Sequence, residues 1–378
     1  MRSENGDPRP RLIILGIRGV PAAHGGFETF AERLSLHLQQ RGWDITVYCQ
    51  GSESGAIACD EWAGITRIHV PTRLGGAWGT IEFDAKATRD VVSRPGLLLT
   101  LGYNTGFLSH WLALRGRHNL INMDGFEWKR AKYGAAKKAF LWINERLAAR
   151  AGTWLIADHP GIAEHLSSRA PAERIAMIPY GGDDVRDAAT APLAALELEP
   201  NRYFTLIARP EPENSVLEIV TAFSRRLRGQ KLVVLGQYHR SIPYQARVLE
   251  AASEEVIFPG AIYDKVILSA LRGHNRAYLH GHTVGGTNPS LVEAMGAGSA
   301  VIAHDNRFNR WVLDEGGLFF ANIDECDHQI TRLIEDDHLC EALRTASRRR
   351  WQANFTWERI LEQYETLLSE AHATMLRT

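Results

Sequence analysis

The sequence predicts an α/β protein of two doubly wound parallel-sheet domains around a central cleft. Three observations carry the two domains. Short apolar runs alternate with helical stretches from end to end of the 378 residues. Most runs have apolar residues in succession, as strands covered on both faces do. The runs also fall into two series, parted by an Ala- and Pro-rich stretch over 186–201 without a core period. Strand–helix–strand order argues for parallel sheets, and the length suits two domains of common size.

The first series places strands at Leu12–Leu15, Ile45–Tyr48, Thr66–Val70, Leu97–Leu101, Asn119–Met123, Trp154–Ala157 and Ala176–Ile178. The second places them at Phe204–Ala208, Leu232–Leu235, Val256–Phe258, Ala277–Leu279, Ala300–Ala303 and Gly317–Phe320. The expected division is a domain over 1–185, a linker over 186–201 and a second domain over 202–356. A final helix over 357–378 carries Leu361, Tyr364, Leu367 and Leu368 on one face and could pack back on the first domain. Open sheets of this kind bind ligands at the carboxyl ends of their strands.

Composition narrows the function. Lys and Arg number 43 against 44 Asp and Glu, for a net charge of −1. That gives no bulk attraction to nucleic acid, and none is expected as a partner. The cysteines at 49, 59, 326 and 340 form no CxxC pair. Neither a zinc site nor a disulfide scaffold is expected, and a reduced cytoplasm is the default. No run of 18 apolar residues exists, so no spanning helix is expected. The polar, proline-broken start gives no signal-peptide core.

Three loops carry candidate chemistry. The first runs from Gly16 through Arg18 to Gly25-Gly26, after the first strand and before a helix with Phe27, Phe30, Ala31, Leu34 and Leu38 on one face. Glycines admit a close ligand, and a helix start offers N–H groups to an anion. A nicotinamide cofactor would need GxGxxG and an acid ending strand two. The spacing differs and strand two ends Tyr48-Cys49-Gln50, so a tight turn without ligand is the other reading.

The second loop is Arg209-Pro210-Glu211-Pro212-Glu213-Asn214, where Arg209 ends a strand and suits bidentate phosphate contact. An ordinary surface arginine is the alternative. The third is His280 to Met295, a strand end, a glycine loop and then a helix start. Asn288 is a good N-cap and Pro289 suits the first helical position. The N–H groups of Thr287 to Leu291 would face a phosphate. Glu293, one turn in, suits ribose hydroxyls better than an anion; simple complement to the helix dipole is its other reading. The candidate pocket is thus His282, Gly285, Gly286, Thr287, Asn288, Pro289, Ser290, Leu291 and Glu293. No third ligand stands near His280 and His282, so no metal is expected.

These pieces, with Asn122–Arg130 and Ile178–Asp183, resemble the GT-B glycosyltransferases of the large retaining family four. The stretch GIRGVPAAHGGFETFAERL resembles that family's bacterial rhamnosyltransferase-like branch. The resemblance implies a donor nucleotide on the C-terminal domain, an acceptor on the N-terminal one, no metal or cofactor, and retained configuration. It gives Arg209 and the amides of Thr287–Leu291 to the donor diphosphate, Glu293 to the ribose, and Gly25-Gly26 to the phosphates. Two positions depart. Gly285 stands where the broad family has a carboxylate eight residues before Glu293. Asn214 stands where it has a lysine five residues after Arg209. Arg18 is the candidate replacement cation.

Asp124 follows the fifth strand, where it could orient an acceptor hydroxyl or act as base, or cap the Asp124-Gly125 turn. Residues 129–150 hold seven Lys and Arg against Glu145, with Tyr133, Ala136, Phe140, Ile143 and Leu147 near helical spacing. That suits an anionic membrane surface; a charged outer face over a buried stripe is the alternative. The expectation is sugar transfer from a nucleoside diphosphate sugar, dTDP-rhamnose first with GDP-mannose and UDP-hexoses open. The expected acceptor is a glycan or polyprenyl-linked glycan at the inner face of the cytoplasmic membrane. A sugar-nucleotide 2-epimerase and a non-catalytic nucleotide-sugar-binding subunit are the alternatives.

Overall fold

Two sheets organise the chain in the computed structural model, which describes residues 9–23 and 25–377. The first holds β1 (Arg11–Leu15), β2 (Asp44–Gln50), β3 (Ala58–Trp62), β4 (Ile65–Val70), β5 (Leu97–Leu101), β6 (Asn119–Asn122), β7 (Trp154–Ala157) and β8 (Ile175–Met177). Its order is β3-β4-β2-β1-β5-β6-β7-β8. The second holds β9 (Tyr203–Ile207), β10 (Lys231–Leu235), β11 (Val256–Ile257), β12 (Ala277–His280), β13 (Val301–His304) and β14 (Gly317–Phe320), in the order β11-β10-β9-β12-β13-β14.

All second-sheet pairs are parallel. The central strands are buried on both faces, which is why they read as unbroken apolar runs: Leu12, Ile14, Leu97, Leu98, Phe204 and Leu232 are all fully buried. Each such side chain contributes roughly 1.5–3 kcal/mol. In each sheet the order reverses beside one strand. In the first, β1 lies between β2 and β5; in the second, β9 lies between β10 and β12. Ligands bind outside the carboxyl ends at such reversals.

The chain divides into two compact units. Unit 1 comprises the described residues of Met1–Trp128, Ala135–Pro179 and Ile360–Thr378; unit 2 comprises Lys129–Gly134 and Tyr180–Arg359. The last helix, Trp357–Met375, is therefore shared. Its unit 1 part puts Tyr364 against Phe30, ring centroids 4.5 Å apart, and the Tyr364 hydroxyl accepts from Asn122 Nδ2 at 2.9 Å.

Three features differ from the sequence expectation. β3 is an antiparallel edge strand paired with β4; it is polar and exposed, so no apolar run announced it. Residues 186–201 are not a bare linker. They include a 3-10 turn, Ala191–Leu196, and bury Leu193 and Leu198 against Tyr203 and Leu271 in unit 2. Lys129–Gly134, expected inside the N-terminal domain, belongs to unit 2.

Candidate functional site

The reversal in unit 2 brings two predicted loops together. β9 and β12 are neighbours, with Phe204 opposite Ala277 and Thr205 opposite Tyr278. The Arg209 loop and the loop after His280 therefore leave the sheet side by side. Gly281 makes the approach close: a Cβ there would fall 2.1 Å from the Asn214 carbonyl oxygen. The Glu213 carbonyl accepts from the Thr283 N–H and hydroxyl at 2.9 and 3.0 Å. Asn214 ties off the first loop, its Nδ2 donating to the Arg209 carbonyl at 2.8 Å. Where a lysine would bring charge, this asparagine brings rigidity. The Arg209 side chain is exposed, and its guanidinium has no hydrogen bond or ion pair among the described residues.

The helix Pro289–Gly296 starts as the sequence predicts, with Asn288 as N-cap and Pro289 first. Tyr278 pins this start to β9, its hydroxyl donating toward the Ile207 carbonyl at 3.2 Å and lying 2.9 Å from Ser290 Oγ. The expected donor array is displaced, however. Asn288 Oδ1 takes the Ser290 N–H at 3.1 Å, and the Asn288 carbonyl takes that of Leu291 at 3.1 Å. Pro289 has no N–H. Within 284–291, the N–H groups of Val284, Gly285, Gly286 and Asn288 have no partner among the described residues, so the array is shifted toward the glycine loop relative to Thr287–Leu291. Thr287 itself is buried. Gly285 has φ +150° and open space where a Cβ would stand.

Glu293 sits one turn in, but not unpartnered: its Oε2 pairs with Nη2 of Arg272, from the helix Lys265–Gly273. The pair fixes the carboxylate and leaves Oε1 without a hydrogen-bond partner among the described residues. Sequence spacing gave no sign of Arg272, which lies 21 residues earlier.

His280 is fully buried, and neither ring nitrogen has a hydrogen-bond partner among the described residues. His282 stacks on it with centroids 4.4 Å apart and planes 12° apart. Burial pushes the His282 ring down to about 3, with the Arg209 and Arg130 charges adding to the shift, so it is neutral. Parallel rings do not converge on an ion, and no group of three His, Cys, Asp or Glu among the described residues does. Arg130 reaches this region from the short segment of unit 2, pairing with Glu213 at 3.0 Å, while Lys132 pairs with Glu211 at 3.4 Å. The expected motif covered Arg130 and Glu213 without assigning either a role.

In unit 1, Arg18 lines a cavity of about 360 Å³ with Glu28, Gln50, Gly51 and His69. The helix Gly26–Gln40 begins beside it with Gly25 as an N-cap lacking a side-chain bond. Glu28 occupies this start: Oε1 takes the Arg18 N–H at 3.3 Å, and Oε2 lies 2.9 Å from where a Gly25 Cβ would be. Gly25 and Gly26 thus stand beside a carboxylate, which favours hydroxyls over the phosphates expected there. A smaller cavity of about 40 Å³ lies under Gly16, Thr100 and Asp84, room for a few waters at most. Asp84 accepts from the Thr105 hydroxyl at 2.8 Å, and burial raises its carboxyl to about 6.

Asp124 adopts φ +48° and takes the Gly125 N–H at 2.8 Å, which is the turn-cap arrangement. The basic helix, Ala135–Ala151, is turned from the expected stripe. Leu141, Asn144, Glu145 and Ala148 face inward, while Phe140, Trp142 and Ile143 are exposed. Glu145 explains the turn, holding the Trp128 indole at 2.5 Å, His165 at 2.9 Å and Arg169 at 3.2 Å. No helix among the described residues is long and apolar enough to cross a membrane.

Comparison with known proteins follows this division. Residues 194–350 match the family of glycosyl transferases group 1, and residues 10–183 match a domain of unknown function, DUF1972. No curated protein sequence matches. Among solved structures, sucrose-phosphate synthase from Thermosynechococcus elongatus is similar over 97% of this chain and 100% of that one, at 19% identity and TM-score 0.81. HepE from Anabaena, solved with UDP and glucose, is similar over 96% and 100%, at 16% identity and TM-score 0.74. A UDP-forming trehalose-phosphate synthase from Burkholderia xenovorans, solved with glucose-6-phosphate, is similar over 96% and 100%, at 13% and 0.73. The fold is that of GT-B glycosyltransferases, and the match to the group 1 glycosyl transferases falls within unit 2.

Proposed function

We propose that the protein transfers a sugar, rhamnose in the first instance, from a nucleoside diphosphate sugar to a hydroxyl of a lipid-linked glycan, with retention and without a metal. The observation that carries this is the unengaged Arg209 guanidinium beside the unpaired N–H groups of Gly285, Gly286 and Asn288, inside a group 1 glycosyltransferase domain. As the sugar C–O bond breaks, negative charge grows on the leaving phosphate. Fixed donors aimed at that charge stabilise it without reorganising. Glu293, held by Arg272, offers Oε1 to the ribose hydroxyls. HepE is named with UDP and glucose, which favours a nucleoside diphosphate donor here.

Position 285 carries no carboxylate, so attack on the same face through an oxocarbenium-like state suits this chain, in line with the family resemblance. Acceptor recognition falls to unit 1, where the Arg18 cavity offers Gln50, His69 and Glu28 to hydroxyls, and Asp124 keeps one oxygen beyond its turn cap. Phe140, Trp142 and Ile143, beside Lys137, Lys138, Arg146 and Arg150, fit an anionic membrane surface.

Incubation of the purified protein with labelled donors and a membrane lipid extract tests the reading. Label in lipid is the expected result. Donor conversion without acceptor would mean an epimerase, and binding without turnover a non-catalytic subunit. Replacing Phe140, Trp142 and Ile143 by Ala should lower co-sedimentation with anionic vesicles and leave neutral vesicles unbound as before.

A further inference from the structure

The glycine loop after β12 opens with a histidine whose surroundings hold it from several sides. The His282 carbonyl accepts from Nδ2 of Asn306 and from Nδ2 of Asn309, each at 3.0 Å. The next residue, Thr283, is tied to the Glu213 carbonyl through its N–H and its hydroxyl. The His282 ring stacks on the fully buried His280. The imidazole is therefore fixed, yet neither of its nitrogens has a hydrogen-bond partner among the described residues. Nδ1 is buried, which leaves Nε2 as the nitrogen open to a ligand. A buried lone pair without a partner costs less than a buried N–H without one. The neutral ring thus keeps Nδ1 bare and carries its proton on Nε2. His282 presents a fixed, uncharged donor, and the charge of the unengaged Arg209 guanidinium bears on the same ring.

We infer that His282 is a sugar-recognising residue of the proposed donor site, its Nε2–H donating to a hydroxyl of the sugar that is transferred. The inference rests on that site and names how it meets the sugar. Within the site, the diphosphate has Arg209 and the N–H groups of Gly285, Gly286 and Asn288, and the ribose has Glu293. The sugar is the part of the donor left over. A neutral imidazole adds no charge for a diphosphate, whereas a hydroxyl accepts from a neutral N–H and still donates elsewhere. Gly285, three residues on, brings no side chain to the sugar.

Calorimetry measures binding of dTDP-rhamnose, UDP-glucose and GDP-mannose, each against its bare diphosphate dTDP, UDP or GDP. The pair whose sugar form binds tightest is carried forward. Arg209→Ala reports on the site itself and should weaken both forms. His282→Phe keeps a ring to stack on His280 and removes the N–H. It should weaken the sugar form by roughly two- to tenfold and leave the bare diphosphate as it was, a split that a general loss of structure would not produce. His282→Gln keeps a neutral N–H at about the same reach and should fall between.

Unchanged affinity for the sugar form in His282→Phe overturns the inference, while a loss in Arg209→Ala leaves the donor site standing. An equal loss of both forms in His282→Phe also overturns it, since the ring would then serve the phosphates or only shape the loop. No binding of any sugar form or diphosphate by the unsubstituted protein removes the donor site and the inference together.

Discussion

Each unit places a glycine-bearing loop and a helix start near a reversal of strand order, yet the two starts are not equivalent. The helix Gly26–Gln40 of unit 1 has Glu28 in its first turn, and that carboxylate lies against Gly25 and the Arg18 N–H. The helix Pro289–Gly296 of unit 2 has no acid in its first turn. A helix start attracts negative charge. Unit 1 meets that pull with its own carboxylate, whereas unit 2 meets it only with the neutral Asn288 cap. The same topology thus yields one surface suited to hydroxyls and one suited to an anion.

Five substitutions would sharpen or break this contrast. Arg209→Ala should lower kcat/KM for the donor by about ten- to a hundredfold, the range of a charge-assisted hydrogen bond; an unchanged value would take Arg209 out of the diphosphate site. Glu293→Ala should raise donor KM by about tenfold with kcat largely kept, the mark of binding felt equally in ground and transition states. Arg272→Ala should move KM the same way by less, since it acts through Glu293.

Asp84→Asn probes the buried side of unit 1 through pH. The folded carboxyl titrates near 6, above the ordinary 3.8, so the folded protein binds the proton more tightly. Its contribution to stability is full below about pH 4 and is lost as pH rises through about 6, at up to about 1.4 kcal/mol per pH unit. The variant should lack that slope in thermal melts between pH 4 and 6.5. Carboxylates held down by partners, such as Asp60 beside Arg67 and Glu82 beside Lys86, titrate near 2 and act below this window. Glu28→Gln is the mildest test. It should cost about 0.5–1 kcal/mol of stability and leave donor KM alone; tighter donor binding would show that the helix start of unit 1 also faces phosphate.

The reading from sequence succeeded where physics is local. Buried strands announced themselves as apolar runs, and Asn288-Pro289 marked a helix start because cap chemistry lies within two or three residues. It failed where partners are distant. Arg272 beside Glu293 depends on two helices meeting. The basic helix was misread because Asn144 and Glu145, polar residues, face inward: Asn144 Oδ1 takes the Phe107 N–H at 3.0 Å, and Glu145 is held by three side chains. Strand β3 escaped notice because an edge with Asp60 and Glu61 has no core to face. Lys129–Gly134 could be assigned to unit 2 only from contacts, though two cations spaced to meet Glu211 and Glu213 were in plain view.

Gly285 carries one last consequence. Space is no obstacle to a side chain there, but φ +150° is ground that residues with a Cβ occupy only under strain. Gly285→Glu would therefore require the whole turn to re-form, not merely a new side chain to fit.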